Sequence, residues 1–140
     1  WLNDPEQAES ICLDILQIEP GHQQAIRTLL LSLTDQFGGG RRSSLVRRAR
    51  ERAAQLETPY QQSYYLGIVF EREGRALLAK SIGKNHAYGP LRDAMNAYEN
   101  AIPLAPAGED DAILRWNSCA RSIMQEQLEP EQNDGPLPLE

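Results

Sequence analysis

Apolar residues return every three or four positions along most of this chain, which is the spacing of one buried face of an α-helix. No stretch alternates convincingly between apolar and polar residues, so no β-strand is expected. Prolines and glycines interrupt the helical pattern and divide the chain into six predicted helices, which makes the predicted fold class all-α. Their approximate limits are Asp4 to Ile18, His22 to Phe37, Ser43 or Ser44 to Leu56, Thr58 to Lys80, Pro90 to Leu104, and Asp110 to Gln127.

Two of these helices share one spacing of small and large residues. The fifth contains, at steps of four, three, three and two, Ala94, Tyr98, Ala101, Leu104 and Pro106. The first contains, at the same steps, Ala8, Cys12, Ile15, Ile18 and Pro20. A small residue lets two helices approach closely, a larger one fills the gap one turn later, and proline ends the helix. In the fourth helix we expect glycine to mark a close contact in the run Leu66, Gly67, Phe70 and Gly74.

This spacing resembles the tetratricopeptide repeat family over about residues 5 to 125. The third helix matches more weakly, through Gln55, Leu56 and Glu57, and Ser63 stands where the family favours tryptophan. The resemblance implies antiparallel helix pairs stacked as a short right-handed α-solenoid, in which the second, fourth and sixth helices line a concave groove. It also leaves the first helix without a partner, and makes the sixth a cap.

The resemblance implies a non-catalytic protein–protein interaction module, a scaffold or adaptor that binds a peptide or helix of another protein in this groove. The expected groove surface is formed by Gln24, Arg27, Leu31, Thr34, Gln61, Tyr64, Ile68, Arg72, Asn117 and Arg121. Among them Arg27, Arg72 and Arg121 can bind carboxylates, which suits an acidic or mixed segment, and Tyr64 has the amphipathic ring common in binding hot spots.

Charge is distributed unevenly along the chain. Residues 1–40 carry one Arg against six acids, residues 41–93 carry eleven Lys and Arg against five acids, and residues 94–140 carry two Arg against nine acids. The middle third includes a basic surface of six arginines, Arg41, Arg42, Arg47, Arg48, Arg50 and Arg52. This surface supports an alternative function, the binding of nucleic acid or another anionic polymer. The favoured interpretation of these arginines is a solvated helix face, balanced by Glu51 and by the acidic ends of the chain. Among binding functions, an acidic protein segment is favoured over nucleic acid, because no aromatic platform lies near these arginines. A structural spacer in a larger assembly is a third possibility.

Catalytic, cofactor and metal sites are not predicted. The two histidines, His22 and His86, lack a metal-ligand spacing to Cys, Asp or Glu, and no nucleophile or phosphate-loop motif occurs. The two cysteines, Cys12 and Cys119, lie far apart within helical patterns and are expected to be reduced core thiols, which favours a cytoplasmic location. No stretch approaches the about 20 apolar residues of a membrane span.

Residues 1–128 are expected to form one helical domain and 129–140 an acidic, proline-rich, disordered tail. We expect the apolar side of Ile11, Ile15 and Ile18 to be covered by a preceding helix or by a second copy of the chain, which makes the first helix a candidate homo-oligomer contact. The segment Ser81 to Gly89 is expected to be an ordered or partner-ordered insertion whose removal leaves thermal stability nearly intact.

Overall fold

The fold is described from a computed structural model, which covers residues 4–81 and 83–131. This part of the chain contains six α-helices, two short 3-10 helices and no strand, which confirms the all-α prediction. The α-helices are α1 (Pro5–Ile18), α2 (Gln23–Thr34), α3 (Arg42–Ala53), α4 (Pro59–Leu78), α5 (Tyr88–Ala101) and α6 (Asp111–Gln125). The 3-10 helices are Lys84–His86 and Ile102–Leu104.

Helix starts follow the local capping signals. The side chains of Asp4 and Thr58 accept hydrogen bonds from backbone N–H groups three residues later, at 3.0 and 3.1 Å, and a proline follows each of them. His22 caps α2 in the same way through its Nδ1 atom. The last helical turns are less regular. In α5, Pro103 has no N–H to donate to the carbonyl of Glu99, and the chain tightens into a 3-10 turn after Ala101.

Each helix packs against the next one in chain order, and α2 also touches α4. The buried apolar residues form two clusters. The first is built on α1, α2 and α3 and includes Val69 from α4. The second is built on α5 and α6 and includes Leu77 from α4, with Tyr64 and Phe70 packed against it. Helix α4 therefore contributes to both clusters.

Helices α4 and α5 are in close contact at the two glycines of α4. A Cβ atom on Gly67 would lie 2.4 Å from the Tyr98 ring, and one on Gly74 would lie 2.7 Å from the Leu91 side chain. Ala94, Tyr98 and Ala101 are fully buried. The close contact expected from the glycine and alanine spacing is confirmed for this pair of helices.

Helix α1 departs from its expected pattern. Ala8 and Cys12 are buried as expected, but the third buried residue is Leu16. Ile15 and Ile11 are half-buried, and Ile18 is 88% exposed. A helix buries residues four apart on one stripe, so Leu16 continues the line of Ala8 and Cys12 whereas Ile18 lies on another side. The covering of this side by a second copy stays a prediction.

The insertion is part of the fold. Gly83 and Ala87 are buried, and a Cβ atom on Gly83 would lie 2.8 Å from the Leu77 carbonyl oxygen. Ala87 belongs to the second cluster and its carbonyl accepts the first backbone bond of α5 from Leu91. Removing this segment would uncover Leu77 and take away the acceptor of the first backbone bond of α5, so these contacts favour a loss of stability on deletion.

Cys12 and Cys119 are buried in the core, as expected, and form no disulfide with each other. No helix within residues 4–81 and 83–131 is both long enough and apolar enough to cross a membrane. The predicted disordered tail lies, from residue 132 onward, outside the described residues.

Candidate protein-binding surface

Helix α4 is joined to α2 by a charged side chain. The Nη1 atom of Arg72 donates to Thr34 Oγ1 at 2.8 Å and to Asp35 Oδ1 at 3.0 Å. Thr34 in turn donates its hydroxyl proton to the Leu31 carbonyl at 2.7 Å. Because Asp35 already occupies part of the Arg72 guanidinium, this arginine is less available to a partner's carboxylate than the sequence suggests.

A buried carboxylate joins α4 to α5 and α6. Glu71 is 5% exposed and accepts a hydrogen bond from the Tyr98 hydroxyl at 2.7 Å. It also accepts from Arg75 Nε at 3.1 Å, and Arg115 Nη1 lies 3.5 Å from it. A buried charge is tolerated when it is paired and hydrogen-bonded, and Glu71 meets both conditions. Burial, reinforced by the Glu71 charge, raises the pKa of Tyr98 far above its usual value, so this hydroxyl stays a donor.

The same two arginines, Arg75 on α4 and Arg115 on α6, link these two helices. Arg75 donates to Ser122 Oγ at 2.6 Å and to Ser118 Oγ at 2.9 Å. Arg115 Nε donates to the Tyr64 hydroxyl at 2.8 Å. These side-chain hydrogen bonds fix the position of α6 beside α4.

Cys119 lies next to this network. Burial, with the nearby Glu71 charge as a smaller cause, raises the pKa of its thiol to about 12.

Sequence reasoning missed this network. One local signal was present, since Glu71 and Arg75 stand four apart on one helix with the acid first, the favourable order for an ion pair. A second was the spacing of Arg115, Ser118 and Ser122, which places three polar side chains on one side of α6. Neither signal indicated that Tyr98, from another helix, would complete the cluster.

The predicted groove residues differ in their exposure. Three are exposed: Gln24, Asn117 and Arg121. Five are half-buried: Arg27, Leu31, Gln61, Tyr64 and Arg72. Thr34 and Ile68 are 5% and 3% exposed and therefore contribute to packing beneath the surface, with almost no area to offer a partner. The accessible groove surface is reduced to the other eight residues.

The basic surface is largely engaged within the chain. Arg48 pairs with Glu9 at 2.6 Å, Arg42 lies 3.8 Å from Glu73, and Arg52 donates to Gln55 at 3.1 Å. The Arg50 guanidinium lies 5.2 Å from the centre of the Phe70 ring, in a cation–π contact. The side chains of Arg41 and Arg47 are exposed and make no hydrogen bond or ion pair with the described residues. Arg42, Arg48 and Arg50 thus link α3 to other helices, which reduces the continuous basic surface that a polyanion needs.

Glu9 is the partner that ties α1 to the turn after α2 and to α3. Gln36 Nε2 donates to its Oε1 atom at 2.9 Å and Arg48 Nη2 to its Oε2 atom at 2.6 Å. Burial alone would raise the pKa of Glu9, but the hydrogen bonds from Gln36 and Arg48 outweigh burial and lower the pKa below its usual value of 4.5. The folded state therefore favours the ionised carboxylate.

Replacing Arg48 with alanine is expected to lower the free energy of unfolding by about 1 kcal/mol at neutral pH, because it removes a charge-assisted bond that is partly shielded from water. Arg47→Ala is the matched control, one residue away and exposed, and should change stability by less than about 0.5 kcal/mol. Urea denaturation at several pH values measures both. Because the pKa of Glu9 is lowered in the folded state, its contribution is present above about pH 4.5 and lost as the pH falls through the folded value, so the Arg48→Ala effect should shrink on acidification. Equal effects of the two variants would contradict this role.

Within residues 4–81 and 83–131, no group of three or more His, Cys, Asp or Glu side chains is placed to hold a metal ion. Comparisons with protein-family models, curated proteins and solved structures found no match to this chain. The resemblance to tetratricopeptide proteins is thus based on the spacing of this chain's own residues.

Proposed function

We propose that this protein is a non-catalytic protein–protein interaction module, in which α2, α4 and α6 present a shared surface to a peptide or helix of another protein. One observation supports this most. Side-chain bonds join α4 to α2 through Arg72 and to α6 through Arg75 and Arg115. Three helices that are not consecutive in the chain are thereby joined side by side, with half-buried and exposed residues of all three available for contact.

A short right-handed α-solenoid of the tetratricopeptide type is the architecture that we propose for this arrangement. The packing of each helix against the next, the additional contact of α2 with α4, and the close approach at Gly67 and Gly74 all support it. In that family the corresponding helices line the concave face. The accessible groove residues would then lie on the concave side.

The chemistry of the eight accessible residues favours a ligand of mixed character. Leu31 and Tyr64 offer apolar contact, Gln24 and Gln61 offer hydrogen bonds, and Arg27 offers a cation that makes no ion pair with the described residues. Half-buried aromatic residues flanked by polar groups are typical of binding hot spots. We infer an extended or helical segment with both apolar and acidic residues.

The two thiols, which are buried and unpaired, are compatible with a reducing compartment, and we propose a cytoplasmic location on that ground. Nucleic-acid binding through Arg41 and Arg47 is the alternative. It requires an affinity for nucleic acid that falls steeply with salt, which a titration of the purified chain measures directly.

The double variant Arg27→Ala, Gln61→Ala is expected to bind the cellular protein partner at least tenfold more weakly, which corresponds to about 1.4 kcal/mol. Neither side chain makes a hydrogen bond to another described residue, so the fold should be retained. The partner is first captured from source cells on the purified chain and identified by mass spectrometry, and its dissociation constant is then measured by calorimetry.

The control is Arg47→Ala, Glu51→Ala, which removes one cation and one anion from the exposed side of α3. It should bind as the parent chain does. If the groove variant binds as tightly as the parent, the proposed surface is wrong, and a loss in the control variant would point to the basic surface.

A further inference from the structure

Helix α6 exposes large apolar side chains along one face. Ile113, Leu114 and Met124 are 42%, 60% and 74% exposed. Asn117 and Arg121 lie between them, at steps of three and four, so the five residues form one stripe, which we call the α6 stripe. From Leu114 to Met124 the stripe runs roughly 15 Å along the helix. Isolated exposed apolar residues are common, but several on one helix face are typical of an interaction site.

The contacts of α6 within the chain lie on its other sides. Ala112 and Cys119 are buried in the second cluster against α5. Arg115, Ser118 and Ser122 bind α4. The five residues of the α6 stripe project from a different side of the helix than these contacting residues. The α6 stripe is therefore the face that the described residues leave uncovered.

Acidic residues stand at both ends of the stripe. Glu109, Asp110 and Asp111 precede or begin α6, and all three are exposed. None of them lies within ion-pair distance of a cation of the described residues. At the other end, Glu126 pairs with Lys84 at 3.4 Å and Glu131 contacts His86. Glu129, at the same end, is exposed and pairs with no cation of the described residues, so negative charge remains at both ends of the stripe.

This charge distribution decides between the possible occupants. A second copy docked antiparallel on the stripe would bring the Glu109 to Asp111 end of each chain against the Glu126 end of the other, and like charges oppose such a contact. A partner with basic residues beside its apolar ones would instead be attracted, and its approach would be accelerated by the field.

We propose that the α6 stripe binds an amphipathic helix of a partner protein, with apolar residues three and four positions apart and with lysine or arginine at the end that meets Glu109, Asp110 and Asp111. The proposal rests on the interaction function proposed above and adds a second contact region, for a basic helix of the partner, to the acidic and apolar segment inferred for Arg27 and its neighbours. Helix-in-groove recognition uses this spacing of apolar anchors. Asn117 and Arg121 then supply polar contacts in the middle of the stripe.

The probe is a synthetic peptide of about 16 residues, roughly 24 Å long as a helix, with leucines at helical spacing and lysines at one end. Its control has the same leucines, with glutamates replacing the lysines. Binding to the full chain is measured by fluorescence anisotropy at low and high salt. The lysine peptide should bind at least tenfold more tightly than the glutamate peptide at low salt, and the difference should decrease at high salt.

Three variants of the chain test the site. Leu114→Ser, Met124→Ser removes the apolar anchors and should weaken binding of the lysine peptide at least tenfold. Glu109→Gln, Asp110→Asn should weaken it mainly at low salt. Ile18→Ser is the matched control, since it removes an equally exposed apolar side chain from α1 and should leave binding unchanged. Circular dichroism checks that each variant keeps its helices.

The proposal is overturned if the lysine peptide does not bind the parent chain, if both peptides bind equally, or if Leu114→Ser, Met124→Ser binds as the parent does. It is also overturned if sedimentation shows a dimer that this variant dissociates, because a second copy would then be the occupant. The groove variant Arg27→Ala, Gln61→Ala should bind the lysine peptide normally. Binding of the cellular partner by that variant therefore tests the proposed function, and its binding of the lysine peptide tests the α6 stripe.

Discussion

Replacing Glu71 with alanine is expected to lower the free energy of unfolding by about 1.5–3 kcal/mol, the range for hydrogen bonds to a charged group. The change leaves the Tyr98 hydroxyl and part of the Arg75 and Arg115 guanidinium groups without their acceptor. The Tyr98 hydroxyl is fully buried and would lose its acceptor, whereas Arg75 and Arg115 are 35% and 40% exposed and can turn to water. Urea denaturation followed by circular dichroism measures the loss.

Glu73→Ala is the matched control for this variant, two residues along the same helix. Glu73 is half-buried and its Arg42 partner lies 3.8 Å away, so its removal should cost less than about 1 kcal/mol. Glu71→Gln should fall between the two, because an amide keeps the shape and one acceptor oxygen. A loss of less than 1 kcal/mol in Glu71→Ala would show that the network contributes little to stability.

Replacing Gly67 with alanine is expected to destabilise the chain by about 1–3 kcal/mol through overpacking. The added methyl group would lie 2.4 Å from the ring of Tyr98, which is fully buried and hydrogen-bonded to Glu71. The ring has no free space to move into, so α4 and α5 must separate or the Tyr98 bond must weaken.

Gly38→Ala is the control, because nothing lies within 4 Å of a Cβ atom at that position, in the exposed turn after α2. Alanine loses less backbone freedom on folding than glycine, so this change should be neutral or should stabilise by up to about 1 kcal/mol. Thermal and urea unfolding should show a loss of stability for Gly67→Ala, and either no change or a gain for the control. A neutral Gly67→Ala would contradict the close helix contact.

Sequence predicts the helices well where the signal is local. Asp4 with Pro5, and Thr58 with Pro59, define helix starts through bonds that span only three residues. Gly67 and Gly74 were recognisable because only a residue without a side chain suits so close a contact. Ile18 and Leu16 could not be distinguished as reliably, since both are apolar and their burial depends on which side of α1 faces α2.

The candidate site was less predictable, because its contacts join residues far apart in the chain. Arg75 meets Ser122 across 47 positions and Arg72 meets Asp35 across 37. The spacing within one helix shows which residues share a face, but not which polar group of another helix will stand opposite. For the same reason Thr34 was expected at the surface, whereas Arg72 and the neighbouring helix cover it.

Helix α4 belongs to both apolar clusters, through Val69 in the first and Leu77 in the second. Stacked helical repeats can unfold stepwise when each contacts only its neighbours. Here a 20-residue helix is common to both halves, so fraying of either half exposes part of α4 to solvent. The two halves should therefore unfold as one cooperative unit, and the amide hydrogens in the middle of α4 should exchange with solvent among the slowest in the chain.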